Sequence, residues 1–173
     1  MIVTVGGSIG SGKTTLAKNL ARKLGLKYYS VGQMMRRLAD ERGISVLDLS
    51  LMAEDDPSID QQLDTKQKEL ASEGNCVMDS RLGAYLLDAD FKIWLDASPQ
   101  VQAERIAGRD GISLEEAKMR IARREASENK RYREIYGIDV ENRSVYDLIL
   151  NTDNMTKEEV LKKCLDALKS KCL

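Results

Sequence analysis

Histidine is absent from all 173 residues, which removes imidazole as a general base, as the partner of a nucleophile and as a metal ligand. Whatever chemistry the chain performs must run on Lys, Arg, Asp and Glu. Cysteine is scarce. Cys76, Cys164 and Cys172 are odd in number and widely spaced, which fits neither a disulfide framework nor a zinc site. They read as small buried or terminal residues rather than nucleophiles, in a reducing interior. Charge of one sign is not in excess, since 27 Lys and Arg stand against 28 Asp and Glu. No overall positive field therefore exists to hold a nucleic acid or an anionic membrane, and any anionic ligand must be met by local arginines. No apolar stretch is long enough to cross a bilayer. Met1 leads directly into Ile2-Val3-Thr4-Val5 without the basic segment and long apolar core of a signal peptide, so a cytoplasmic protein is expected.

What is present is an ordinary globular mixture, 42% hydrophobic and 32% charged, of a size that buries a substantial core as one domain without disulfides or structural metal. Short apolar runs alternate with helical patterns. Ile2 to Val5, Tyr28-Tyr29, Cys76 to Met78, Phe91 to Leu95 and Tyr146 to Leu150 read as strands. Between them, Thr14 to Leu24 carries Leu16, Leu20 and Leu24 on one stripe, with Gly25 as C-cap. Gly32 starts a helical segment through Arg42. Asp56-Pro57 reads as N-cap and N1 of a helix that ends at Gly74, and Ser98-Pro99 starts another to about Ala107. Ser113 and Thr156 open capping boxes, the first before a long charged helix ending near Gly137 and the second before the C-terminal helix. This alternation predicts an α/β fold, a five-stranded parallel sheet flanked by helices in three layers, with ligands outside the carboxyl ends of the strands.

Gly7-Ser8-Ile9-Gly10-Ser11-Gly12-Lys13-Thr14 satisfies the P-loop pattern and sits between a predicted strand and a predicted helix. Its glycines let successive backbone N–H groups and the helix N-terminus point at a phosphate. Lys13 is expected at the β- and γ-phosphates of a nucleotide and the Thr14 hydroxyl on Mg²⁺, with Thr15 completing the nucleotide-binding set. The loop does not identify the acceptor, because GTPases, ATPases and small-molecule kinases share it.

Phosphoryl transfer between two polyanions needs positive charge around both and exclusion of water, and arginine suits it because its fork grips phosphate bidentately. Arginines occur at 36, 37, 81, 105, 109, 120, 123, 124, 131 and 133. Arg120, Arg123 and Arg133 read as parts of a solvated helix face. Trp94 and the Met34-Met35 pair read as packing.

Together, the segments Gly7 to Thr15, Ser30 to Arg36, Asp79-Ser80-Arg81, Trp94 to Pro99 and Arg124 to Arg131 resemble the cytidylate kinases of the short archaeal type, P-loop nucleoside monophosphate kinases. The resemblance spans essentially the whole chain. It implies transfer of phosphate from ATP, with Mg²⁺, to CMP or dCMP, and a P-loop kinase fold with a monophosphate-binding helical region at about 32–73 and a lid at about 108–133. Carried over by position, it puts Arg36 on the acceptor phosphate and Arg81 on the acceptor nucleotide. Arg105 would lie near adenine and Arg109 near the ATP phosphates. Arg124 and Arg131 would reach the phosphates when the lid closes, with Glu128 fixing either fork. Asp79 is left between a magnesium-bound water and the acceptor. Gly108 and Gly111, flanking Arg109-Asp110, are candidate hinges. The inserted domain of bacterial cytidylate kinases is missing, so no base contacts transfer from it. A monomer is expected, with small nucleotides as the only partners. The rival readings are adenylate kinase or another small-molecule kinase, and a nucleotide-dependent switch. The second lacks an Asn-Lys-x-Asp guanine motif and has no use for the arginines.

Overall fold

The computed structural model describes residues 1–171; Cys172 lies outside the described residues. Five strands form one sheet in the order β2-β3-β1-β4-β5. They are β1 (Ile2–Gly7), β2 (Lys27–Ser30), β3 (Cys76–Asp79), β4 (Phe91–Asp96) and β5 (Leu148–Asn151), and all four pairings are parallel. The alternating pattern predicts this arrangement. The last strand begins at Leu148, two residues later than expected. Tyr146 precedes it and packs its ring 5.1 Å from that of Trp94, which is fully buried as the sequence implies.

Two layers of helix cover the sheet. Helix α1 (Lys13–Leu24) and helix α8 (Lys157–Lys171) lay Leu16, Leu20, Val160 and Cys164 over Val3, Val5, Ile93 and Leu95. On the opposite face, Cys76 and Met78 meet Ala71 and Leu87, brought by α4 (Pro57–Ser72) and the end of the short α5 (Gly83–Leu86). Cys76 and Cys164 are both buried and free. Helix α2 (Val31–Glu41) packs with α3 (Val46–Asp55) around Ala39, Leu49 and Ala53. Helix α6 (Pro99–Asp110) packs with α7 (Leu114–Tyr136) around Ala103, Ile106, Ala117 and Ile121.

The helix ends follow their sequence signals. Gly25 takes a left-handed conformation (φ 67°) and donates its N–H to Ala21. Thr156 forms a complete capping box, with Glu159 N–H on its hydroxyl and its own N–H on the Glu159 carboxylate. Ser113 makes half of one. It caps Glu116 N–H, but the Glu116 carboxylate turns to Arg120 at 2.5 Å. The hinge expectation needs correction at one residue. Gly108 lies inside α6 and only Gly111 is left-handed, at φ 66°, so the break between α6 and α7 has a single glycine.

Candidate active site

Parallel pairing aligns Ser30 and Val5 with Asp79 across three neighbouring strands, so the carboxyl ends of β1, β2 and β3 finish together beneath one cleft. That cleft encloses about 1970 Å³ between the P-loop, α2, α3, α4 and α7, room for two nucleotide-sized ligands.

The P-loop is built by close approach. A side chain at Gly7 would collide with the Leu95 carbonyl, and Gly12 holds φ 95° as it turns the chain into α1. Ser8 N–H donates to Leu95 O at 3.0 Å, the Ser8 hydroxyl accepts from Ala97 N–H at 3.2 Å, and Ser11 Oγ donates to Ser8 O at 2.8 Å. Ile9 plugs the loop into the α6–α7 contact. Lys13 Nζ folds over the loop, donating to Gly7 O at 2.9 Å and Ser8 O at 2.7 Å. Burial lowers its ammonium to about 8, Asp79 opposing and Arg81 and Arg124 adding to the push.

Arg105 and Thr152 staple the back of the loop. Arg105 Nη1 donates to Gly10 O at 3.1 Å and Thr152 Oγ1 at 2.9 Å, and Nη2 to Thr152 O at 2.7 Å. Thr152, buried just past β5, in turn donates to Ser11 O at 3.0 Å. Sequence reasoning missed Thr152, whose one signal is a hydroxyl immediately after the last strand, at the sheet end where the loop lies. Arg105, expected near adenine, here braces the back of the cradle.

Asp79 Oδ2 gathers three hydroxyls, from Thr14 at 2.7 Å, Tyr28 at 3.3 Å and Ser30 at 3.4 Å. Ser30 also caps α2 through Gln33 N–H. Arg36, one turn further along α2, is exposed and lines the cleft. Thr15 lines it beside Thr14.

A second cluster closes the cleft on its α7 side. Glu128 accepts from Arg81 Nη1 at 2.7 Å through one oxygen and from Arg124 Nε at 2.7 Å through the other. Burial works to raise the Glu128 carboxyl, but Arg124 and then Arg81 outweigh it and hold it at about 2. Arg81 is buried with its Nε unpartnered, whereas Arg124 is 55% exposed along its side chain. Glu128 therefore fixes the forks of Arg81 and Arg124, and not that of Arg131.

Arg131, expected to reach the phosphates when the lid closes, lines the cleft here. It is buried against α4 and α3, with Nε on Asp60 Oδ2 at 2.7 Å and Nη1 on Ser127 Oγ at 2.8 Å and Ser50 Oγ at 3.3 Å. One turn along α4, Asp64 accepts from Tyr136 Oη and from Gln67 Nε2. These contacts are why α7 stays on α3 and α4 here. Arg109 is exposed, lines the cleft and pairs with its neighbour Asp110 at 2.6 Å. Arg120 and Arg133 pair with Glu116 and Asp139, and Arg120 and Arg123 line the cleft.

A phosphate cradle at the carboxyl end of a parallel sheet, opening on an arginine-rich cleft between helices, defines a P-loop kinase. Solved structures agree on the fold: shikimate kinase from Aquifex aeolicus superposes with a TM-score of 0.65 at 21% identity, covering 100% of this chain and 99% of the other. Dephospho-CoA kinase from Campylobacter jejuni gives 0.55 at 19% identity, covering 98% and 96%. The chain belongs to the cytidylate kinase-like family, whose model matches residues 2–154. It is 44% identical to the cytidylate kinase of Methanopyrus kandleri over 97% of this chain and 94% of that protein. It is 45% identical to the cytidylate kinase of Pyrococcus abyssi over 99% and 97%. Among the described residues, no helix is long and apolar enough to cross a membrane.

Proposed function

We propose that this enzyme transfers the γ-phosphoryl group of ATP to CMP or dCMP, giving ADP and CDP or dCDP. The observation that carries the reading is the two-ended cleft: Lys13 and the P-loop at one end, Arg36 and the Arg81–Glu128–Arg124 cluster facing it, in a chain whose full-length relatives are named cytidylate kinases.

In this reading the P-loop amides and Lys13 take the β- and γ-phosphates of ATP, and Arg36 takes the acceptor phosphate. Arg124 exchanges the Glu128 carboxylate for phosphate oxygens as the site fills, while Arg81 stays anchored. Segment 32–73 acts as the monophosphate-binding region and segment 108–133 as the lid. Lid closure carries Arg109 inward and excludes water, so that the acceptor oxygen attacks in its place. The donor set near the cradle suits Mg²⁺: one carboxylate, Asp79, stands beside the Thr14 hydroxyl at 2.7 Å, and Mg²⁺ is held by one or two carboxylates together with substrate phosphates. Thr14 and Asp79 would hold it, directly or through water, and it supplies neutralisation of charge on the β- and γ-oxygens.

The test is the rate of ADP formation with CMP, dCMP, UMP, AMP or shikimate as acceptor. Turnover should be fastest with CMP or dCMP; a preference for AMP or shikimate would move the enzyme to another kinase reading.

A further inference from the structure

A phosphate cradle works only if its peptides turn N–H groups, not carbonyls, toward the anion. The peptide between Ser11 and Gly12 is not fixed in that sense by the loop itself. Gly12 sits at φ 95° with open space where a side chain would stand, and glycine accepts either sign of φ at little cost. Rotating this peptide by half a turn would put its carbonyl where its N–H should be. Ser11 O accepts one hydrogen bond from the described residues, and the donor lies outside the loop: Thr152 Oγ1, at 3.0 Å.

The surroundings of Thr152 direct its hydroxyl to that task. Thr152 is 2% exposed and follows β5 directly. Its Oγ1 accepts from Arg105 Nη1 at 2.9 Å, which turns the single hydroxyl proton away from the guanidinium. Two carbonyls are then within reach, Ser11 O at 3.0 Å and Asp96 O at 3.1 Å. Asp96 O already receives the Thr152 N–H at 2.9 Å, so only Ser11 O depends on the hydroxyl. In a trans peptide the C=O and the N–H point in opposite directions, and the chain has no cis peptide among the described residues. A Ser11 carbonyl held at the back of the loop therefore leaves the Gly12 N–H facing the cleft that Gly12 lines. That N–H makes no hydrogen bond with the described residues. We infer that Thr152 is a positioning residue for phosphoryl transfer, which locks the Ser11–Gly12 peptide so that its N–H meets the phosphates of the donor nucleotide. The inference rests on the phosphate cradle of the proposed reading and not on which acceptor is used.

The experiment measures calorimetric binding of Mg-ATP and of magnesium tripolyphosphate, a phosphate chain without a base, to wild type, Thr152→Val and Thr152→Ser. Valine keeps the shape of threonine and loses the hydroxyl, whereas serine keeps the hydroxyl. Thr152→Val should raise the dissociation constants of both ligands by about tenfold or more, because a charge-assisted hydrogen bond is lost. Thr152→Ser should bind both within about twofold of wild type, and the KM for the acceptor should stay unchanged in either variant. A structural role alone would lower the melting temperature of Thr152→Val and leave both affinities intact below it, which overturns the inference. Weaker ATP binding with unchanged tripolyphosphate binding would put the effect at the base, through Arg105, and overturns it too, as does a loss that serine fails to restore. Wild type that binds neither ligand removes the cradle itself; wild type and valine variant binding both equally removes only the role of Thr152. Should the valine variant fail to fold, a crystal structure of wild type with a non-hydrolysable ATP analogue decides. Ser11 O on Thr152 Oγ1 with Gly12 N within hydrogen-bonding distance of a phosphate oxygen supports the assignment. A Ser11 carbonyl turned into the cleft, or a Gly12 N away from every phosphate oxygen, overturns it.

Discussion

The Thr14 hydroxyl donates a 2.7 Å hydrogen bond to Asp79 Oδ2, tying the first turn of the helix after the P-loop to the end of the adjacent strand. The same carboxylate oxygen receives Ser30, whose hydroxyl caps the helix that carries Arg36. One carboxylate thus links the donor end of the site to the helix of the acceptor end.

Asp79→Asn keeps the shape but removes the one carboxylate charge that the cradle offers a cation. The Mg²⁺ concentration for half-maximal turnover should rise by about tenfold and kcat should fall by about 10²-fold. Turnover titrated with Mg²⁺ at saturating nucleotides checks this, and an unchanged midpoint would remove Asp79 from the metal site.

Lys13 gives a prediction about protons. Its ammonium lies at about 8 in the free enzyme, and phosphate beside it favours the charged form. ATP binding near pH 8.5 should therefore take up a proton, and affinity should fall as pH rises through 8. Calorimetry in buffers of differing ionisation enthalpy measures the uptake; none at pH 8.5 would contradict the environment described for Lys13. Lys13→Ala should lower kcat by about 10²-fold or more with the circular dichroism spectrum unchanged.

Glu128→Gln removes a charge that two arginines share in a buried setting. Leaving Arg81 buried without its partner should cost about 3 kcal/mol, read from denaturant unfolding. The sign of the pH dependence follows from the depressed carboxyl. Wild-type stability from Glu128 is fully present above about 4.5, its ordinary value, and is lost as pH falls toward about 2. The variant should lack that component of acid sensitivity. Equal acid unfolding curves would show that the ion pairs contribute nothing net.

Arg36 and Arg124 separate acceptor binding from transfer. Arg36→Ala should raise the KM for the monophosphate by about tenfold more than that for ATP, since the side chain touches the acceptor phosphate alone in this account. Arg124→Lys should lower kcat nearly as far as Arg124→Ala, because lysine keeps the charge and loses the fork. Near wild-type turnover in the lysine variant would return Arg124 to the solvated surface, where more than half of it already lies.

The sheet and the cradle are legible in the sequence because they rest on local signals. Short apolar runs alternating with helical patterns mark the strands, and the P-loop needs glycines at fixed spacing where backbone must approach backbone, as at Gly7 against Leu95. Helix α3 is harder to read. Four of its apolar residues, Val46, Leu47, Leu51 and Met52, are exposed, so its pattern has no clean apolar stripe, although Ser45 caps it through Asp48 N–H. The long-range pairs are illegible for a different reason. Asp60 and Arg131 stand 71 positions apart, and nothing local to either says that α4 and α7 meet. The same holds for Thr152, which reaches Ser11 over 141 positions. Arg124 and Arg131 share a helix, yet the fold sends one to Glu128 and the other to Asp60.

The central claim, that this site moves phosphate onto a cytidine monophosphate and not onto water, is tested most directly by following the γ-phosphate of ATP labelled with ³²P. With CMP present, the label should appear in CDP in proportion to the ADP formed, and without an acceptor its release as inorganic phosphate should be slower by about 10²-fold or more. Label accumulating as inorganic phosphate at the same rate with and without CMP, and none in CDP, would contradict the account.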